Sequence, residues 1–211
     1  AALKSTPESR MINVYFNGFA LTLGLIMAIG AQNAHVLRQG LRGEHVLLTV
    51  SVSALCDMVL ITLGVAGLGS LFVANPDLMS VARYGGAAFL ILYGARALRS
   101  ALRGGRAVDV TGHRRLSRGQ ALLAAAGFSL LNPHAYLDTV VLLGSIGSQQ
   151  TADLRPLFAA GAITASIVWF VLLGYGARLL VPLFSRPVAW RVLDALVALM
   201  LWGIAASLLL A

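Results

Sequence analysis

Charge is what this 211-residue chain most lacks: 11% of its residues are Asp, Glu, Lys or Arg, and only 8 are acidic. Soluble domains carry about 25% charged residues, so a chain that is 58% hydrophobic with a mean hydropathy of +0.83 falls outside that class and in the class of multi-span membrane proteins. The single cysteine, Cys56, excludes an intramolecular disulfide, and no CxxC or Cys/His spacing marks a zinc or iron–sulfur site. Cys56 is expected to pack as a small hydrophobe. An HExxH pair, a Walker lysine loop, a nucleophile elbow and a dense acidic cluster are absent as well, so neither an enzyme nor a bound metal or cofactor is expected.

What the chain does have is six apolar runs, at 14–37, 46–73, 80–101, 120–147, 156–181 and 189–210, each near the roughly 20 residues that cross a bilayer. Lipid satisfies no open sheet edge, so all six are expected to be helices and the fold an all-α integral membrane protein. The first run, Val14 to Leu37, is too long for a signal-peptide core and is expected to remain as a span. Residues 1–10, with Lys4, Pro7, Glu8 and Arg10, are polar and aperiodic and are expected to be a disordered extension.

If all six runs cross, twelve basic residues fall on one side: Arg38, Arg42, Arg96, Arg99, Arg103, Arg106, Arg114, Arg115, Arg118, Arg178, Arg186 and Arg191. Only Lys4, Arg10, Arg83 and Arg155 fall on the other. The positive-inside rule then predicts cytoplasmic arginine-rich loops and both termini outside. The net charge of +8 and pI near 10.8 have this topogenic explanation, so no nucleic-acid partner is expected.

The arginine-rich stretch 103–118 reads as a cytoplasmic linker between two three-span halves, 11–102 and 119–211. Three is odd, so related halves must be inverted with respect to each other, as in many secondary transporters. Each half opens with a span broken by polar residues, Gly30-Ala31-Gln32-Asn33 in the first and Asn132-Pro133-His134 in the fourth. Pro133 cannot donate a backbone hydrogen bond and forces Asn132 out of helical geometry, so the fourth helix is expected to stop or kink there. Asn132 as N-cap and Pro133 as first residue can start a new half-helix whose N-terminus attracts anions. In the first break, Gly30 can end one helical piece and Gln32 or Asn33 can cap the next. The plainer alternative is a kink at Asn132-Pro133, with Gln32 and Asn33 gluing neighbouring helices.

Two acidic residues stand deep in apolar runs. Asp57 lies about eleven residues into the second span, roughly 16 Å at 1.5 Å per residue and so near the midplane of a ~30 Å core. Asp138 follows Pro133 by five residues. A carboxylate at such depth costs about 2.5–3.5 kcal/mol and marks a site unless a buried arginine pairs with it, and no basic residue lies comparably deep along the chain. Asp194, by contrast, follows Arg191 by three residues, and an i,i+3 pair there is sufficient explanation.

The blocks GAQNAHVLRQGL at 30–41, CDMVLITLGVAG at 56–67, RYGGAAFLILYG at 83–94 and LNPHAYLDTVVLLGSIG at 131–147 resemble the LysE/ArgO family of basic amino-acid exporters. The similarity runs from about Met11 to the end and takes in Ala165-Ser166 and Trp169. Ala31 stands where the family motif has Pro, which implies a gentler first break. The resemblance implies efflux of L-lysine, L-arginine or analogues such as canavanine across the bacterial inner membrane, driven by membrane potential and proton gradient.

The residues supply a physical rationale for that cargo. A basic amino acid presents two cationic groups and one carboxylate; Asp57 and Asp138 can meet the cations, while Asn132, Asn33 and Gln32 can cradle the carboxylate. Desolvation favours the protonated form of a buried carboxylate and a nearby cation favours the ionised form, so substrate and proton compete for one group. Alternating access with Asp57 or Asp138 as proton carrier, and His134 as a possible relay, follows as the expected mechanism. Tyr136 can close over a cation through its ring, and Ser166 and Thr164 carry hydroxyls of open role. Gly64, Gly67, Gly69, Gly174 and Gly176 allow close helix approach, within the bundle or at a homodimer face. Trp190 and Tyr15 are expected as interface anchors. The rival readings are a cation channel, an exporter of neutral amino acids and a structural scaffold.

Overall fold

A computed structural model describes residues 6–27, 30–68, 76–102, 116–131, 135–183 and 186–210. Among these residues the ordered elements are helical and no strand occurs. In chain order they are α1 (Pro7–Ile26), α2 (Ala31–Arg42), α3 (Val46–Leu63, continued by a wide turn Gly64–Leu68), α4 (Pro76–Leu102), α5 (Arg118–Leu130), α6 (Tyr136–Ser148), α7 (Arg155–Gly176, with a tighter last turn Ala177–Leu180) and α8 (Pro187–Leu210).

Helix boundaries follow local chemistry. Thr6 caps α1 by accepting from the Ser9 amide, with Pro7 and Glu8 in the first turn, so residues 7–10 are helical where disorder was expected. Gly30 is the N-cap of α2 with an extended backbone; it begins a helix instead of ending one. Gln32 and Asn33 then lie inside the first turn of α2, because Ala31 occupies the first helical position. Gly43 ends α2 at φ 66°, a left-handed conformation that glycine adopts without strain. Ser117 and Gln120 form a reciprocal capping box that starts α5, so the end of the expected linker belongs to this helix, while 103–115 lie outside the described residues.

Among the described residues, three helices are long and apolar enough to cross a membrane, Val46–Gly67, Arg155–Leu180 and Pro187–Leu210, and the pair α1 and α2 qualifies together as one broken span. The expected fourth span is divided into α5 and α6, each 13 residues and too short to cross alone. Along α3 the buried residues Val46, Thr49, Val50, Ser53, Asp57, Leu60 and Ile61 recur every three or four positions, while Leu47, Leu55 and Val59 on the other face are exposed. An apolar exposed face of this kind is matched to lipid as solvent.

The chain forms two compact units, each drawing on both halves of the sequence. The first unit contains α1, α3 from Ala54 onward with its wide turn, α6, and α7 as far as Trp169. Its core is Val14, Ile61, Val65, Leu143, Leu154, Phe158 and Ala162. Gly64 and Gly144 meet backbone to backbone there, so that a Cβ on Gly144 would overlap Gly64. The second unit contains α2, α3 as far as Ser53, α4, α5, α7 from Phe170, and α8. Ala87, Leu90, Phe128, Ala198 and Leu201 centre its core, and Gly40 packs against the Gly174 backbone. Arg83 donates to the Leu208 and Leu209 carbonyls and so caps the end of α8.

Trp190 is 5% exposed and packed with Leu41 and Ala177, a core residue and not the interface anchor that its place near a span end suggests. Arg42 covers its ring at 5.8 Å.

Candidate functional site

The first unit holds the deep carboxylate. Asp57 sits three and four residues before Leu60 and Ile61, and this helical spacing carries it onto the buried face of α3, where it is 7% exposed. Ser166, fully buried on α7, donates its hydroxyl to Asp57 Oδ2 at 2.9 Å. A carboxylate accepting from a hydroxyl in a low-dielectric setting keeps a fixed orientation, and a charged acceptor makes that bond stronger than a neutral pair. Ser166 was one of two ambiguous hydroxyls in the sequence. Thr164 is the local one, donating to the Ala160 carbonyl within its own helix.

Tyr136 opens α6, half-buried, and the Cys56 sulfur beside Asp57 lies within electrostatic reach of it. Cys56 is a free, partly exposed cysteine. The first turns of α6, Tyr136–Leu143, are π-helical, a widened winding in place of the ordinary half-helix expected after Pro133. Asp138 lies in the first of these turns and is exposed. Asn132, Pro133 and His134, expected as cap, helix break and relay, lie outside the described residues.

The polar residues of the first break belong to the second unit. Gln32 donates its side-chain amide to Ser129 Oγ at 3.0 Å, and Ser129 in turn donates to the Ala125 carbonyl, so α2 and α5 are joined by a buried polar link. Asn33 is buried on α2. His35 stacks on Phe128 with centroids 4.7 Å apart, and Phe128 meets Tyr93 and Phe89 edge to face.

Asp194 corrects the sequence reading most. It is 1% exposed and faces Arg38 of α2, whose Nη2 stands 3.1 Å from its Oδ1, in place of the expected pair with Arg191. Arg38 is correspondingly an inward-facing arginine with a side chain only 20% exposed, although by position it read as a loop residue. Positions 191 and 194 share a helix, but α8 is rotated so that 194 looks inward among Trp190, Val197 and Ala198, while Arg191 is exposed. Charge alone offered no clue to this; the apolar periodicity of 190, 197, 198 and 201, whose face includes position 194, did.

A family model described as "LysE type translocator" matches residues 23–211. A protein of Aeromonas salmonicida named "Putative amino-acid transporter YggA" is 43% identical over 198 residues, covering 94% of this chain and 96% of that protein. The "Arginine exporter protein ArgO" of Serratia proteamaculans and that of Yersinia enterocolitica are each 40% identical over 198 residues, covering 94% of this chain and 97% of theirs. No solved structure matches.

Proposed function

From a chain that belongs to the LysE-type translocator family, and so to transporters and not to enzymes, we propose export of basic L-amino acids, arginine and lysine, from the bacterial cytoplasm. Amino-acid export across a membrane is the coarse reading; the basic cargo rests on Asp57. A buried carboxylate held by Ser166 on an apolar helix is a fixed negative charge at a depth where charge is expensive, and a guanidinium or ammonium is its natural counter-ion. Asp138, exposed at the widened start of α6, is the second carboxylate, and Tyr136 between them in sequence order offers an aromatic face.

Coupling follows from competition between a proton and the substrate's cation for Asp57 or Asp138. The loaded carrier releases cargo outside and returns with a protonated carboxylate.

Two inverted repeats provide the moving parts. In support of this, α1 lies in the first unit and α2 in the second, whereas α5 lies in the second and α6 in the first. Likewise α3 passes from the second unit to the first, and α7 from the first to the second. These half-spans occupy the units in opposite order, as three spans per half require, while the third spans α4 and α8 both belong to the second unit. The arginine-rich loops are assigned to the cytoplasm by the positive-inside rule.

Counterflow of labelled arginine in proteoliposomes, challenged with arginine, lysine, canavanine and neutral amino acids at varied pH, tests this reading. Saturable, stereoselective exchange inhibited by basic amino acids and by Asp57→Asn is expected. Exchange of neutral amino acids alone, or an ohmic current without saturation, would overturn it.

A further inference from the structure

Among the described residues, six buried polar atoms of the second unit have no hydrogen-bond partner within the protein; beside Thr49 Oγ1 and Ser53 Oγ on α3, four lie on α2 and α8: His35 Nε2, Arg38 Nε, Gln39 Oε1 and Asp194 Oδ1. These four form one group. Residues 35, 38 and 39 are related by i,i+3 and i,i+4 spacing on α2 and so share a face, and Asp194 reaches that face from α8 through Arg38. The contact of Arg38 Nη2 with Asp194 Oδ1 at 3.1 Å is an ion pair without hydrogen-bond alignment, which leaves Arg38 Nε–H and Asp194 Oδ1 unused. Gln39 is 3% exposed and Asp194 1%, so bulk solvent does not serve them, and burying a polar group unsatisfied is among the more destabilising things a fold can do.

The set has a definite chemistry. Arg38 Nε is a donor and His35 Nε2 is a donor in one tautomer; Gln39 Oε1 and Asp194 Oδ1 are acceptors. Arg38 and Asp194 together are formally neutral. Two donors beside two acceptors with no net charge complement a zwitterion that presents a carboxylate and an ammonium on one carbon.

We propose that this cluster binds the head group of an α-amino acid, its carboxylate on Arg38 and His35 and its ammonium on Asp194 and Gln39. The assignment rests on amino-acid export but not on the charge of the cargo's side chain, since every α-amino acid shares this head group. It supplies carboxylate recognition from side chains of α2, where the sequence had pointed to backbone donors at Asn132-Pro133.

The test uses the full chain in proteoliposomes. Inhibition of labelled amino-acid exchange is compared for arginine against agmatine, lysine against cadaverine, and leucine against isoamylamine, each pair differing by the carboxylate alone. The wild type is expected to prefer each amino acid by about tenfold or more. The charge-swapped variant Arg38→Asp/Asp194→Arg keeps an ion pair between α2 and α8 but reverses the head-group polarity, and is expected to lose the preference. His35→Phe keeps the ring stacked on Phe128 and removes only Nε2; it is expected to reduce the preference while leaving agmatine, cadaverine and isoamylamine unchanged. A wild type indifferent to the carboxylate, a charge swap that restores full preference, or a His35→Phe variant with an unaltered ratio would overturn the assignment. Preference retained for leucine in a protein that rejects arginine would instead sink the basic-cargo reading and leave the head-group site standing.

Discussion

The two units each bury a carboxylate, and they treat it differently. In the first, Asp57 accepts from the Ser166 hydroxyl. In the second, Asp194 faces the Arg38 guanidinium. A hydroxyl orients one carboxylate oxygen and cancels no charge, whereas a guanidinium does both. One carboxylate is oriented by a hydroxyl and the other lies against a guanidinium, and under the proposed function it is Asp57 that meets the side-chain cation of the cargo.

The largest expected effect is on Asp57. Asp57→Asn preserves shape and removes the charge, and initial arginine efflux from loaded proteoliposomes should fall about a hundredfold, the equivalent of a lost charge-assisted contact of about 3 kcal/mol. Wild-type efflux in this variant would erase the distinction between the units.

Asp194→Asn should act first on stability, because it strands Arg38 inside α2. Thermal unfolding in detergent should register a loss of about 2 kcal/mol, at the low end for a buried pair because Arg38 keeps some solvent contact. Adding Arg38→Gln should recover most of that loss. Stability that stays low in the double variant would show that the pair is not the determinant.

Ser166→Ala should leave the fold intact and weaken apparent arginine affinity about five- to tenfold, the worth of one hydrogen bond to a charged group. The half-saturation concentration of counterflow reports it directly. An unchanged value would reduce Ser166 to packing.

The smallest effect belongs to Asp153, a fully exposed loop residue ahead of α7. The Thr151 hydroxyl, then its own backbone amide, then Arg10 hold its carboxyl below the usual carboxylate range. A depressed folded pKa contributes stability that is present above the unfolded value, about 3.9, and is lost as pH falls through the folded one. Asp153→Asn should therefore flatten the acid-side decline of the melting temperature slightly and leave export unchanged. A change in export would place this loop in the transport cycle.

Much of this was legible along the chain because it depends on near neighbours. Low charge and long apolar runs defined the class, Gly30 marked where the first run divides, and apolar spacing turned Asp57 inward. Other features were not legible. Residues 166 and 57 are 109 positions apart, and nothing local distinguishes the Ser166 hydroxyl from that of Thr164, which turns back on its own helix. Asp194 and Arg191 looked like partners because i,i+3 spacing permits it, but the apolar stripe around Trp190 and Val197 sets the rotation of α8 and carries Asp194 to Arg38. The π-helical start of α6 was also hidden, since Tyr136–Leu143 carries no residue that forbids ordinary winding.

The sequence by itself determined that this protein lives in lipid, is helical, breaks its first and fourth apolar runs and buries a carboxylate at position 57, because burial, backbone satisfaction and helix capping act within a few residues. Only the tertiary structure decided which groups meet: Ser166 with Asp57, Gln32 with Ser129, Arg38 with Asp194. Those pairings depend on how each helix is rotated and where its neighbours cross it, quantities set by the packing of whole faces and not by any single stretch of chain.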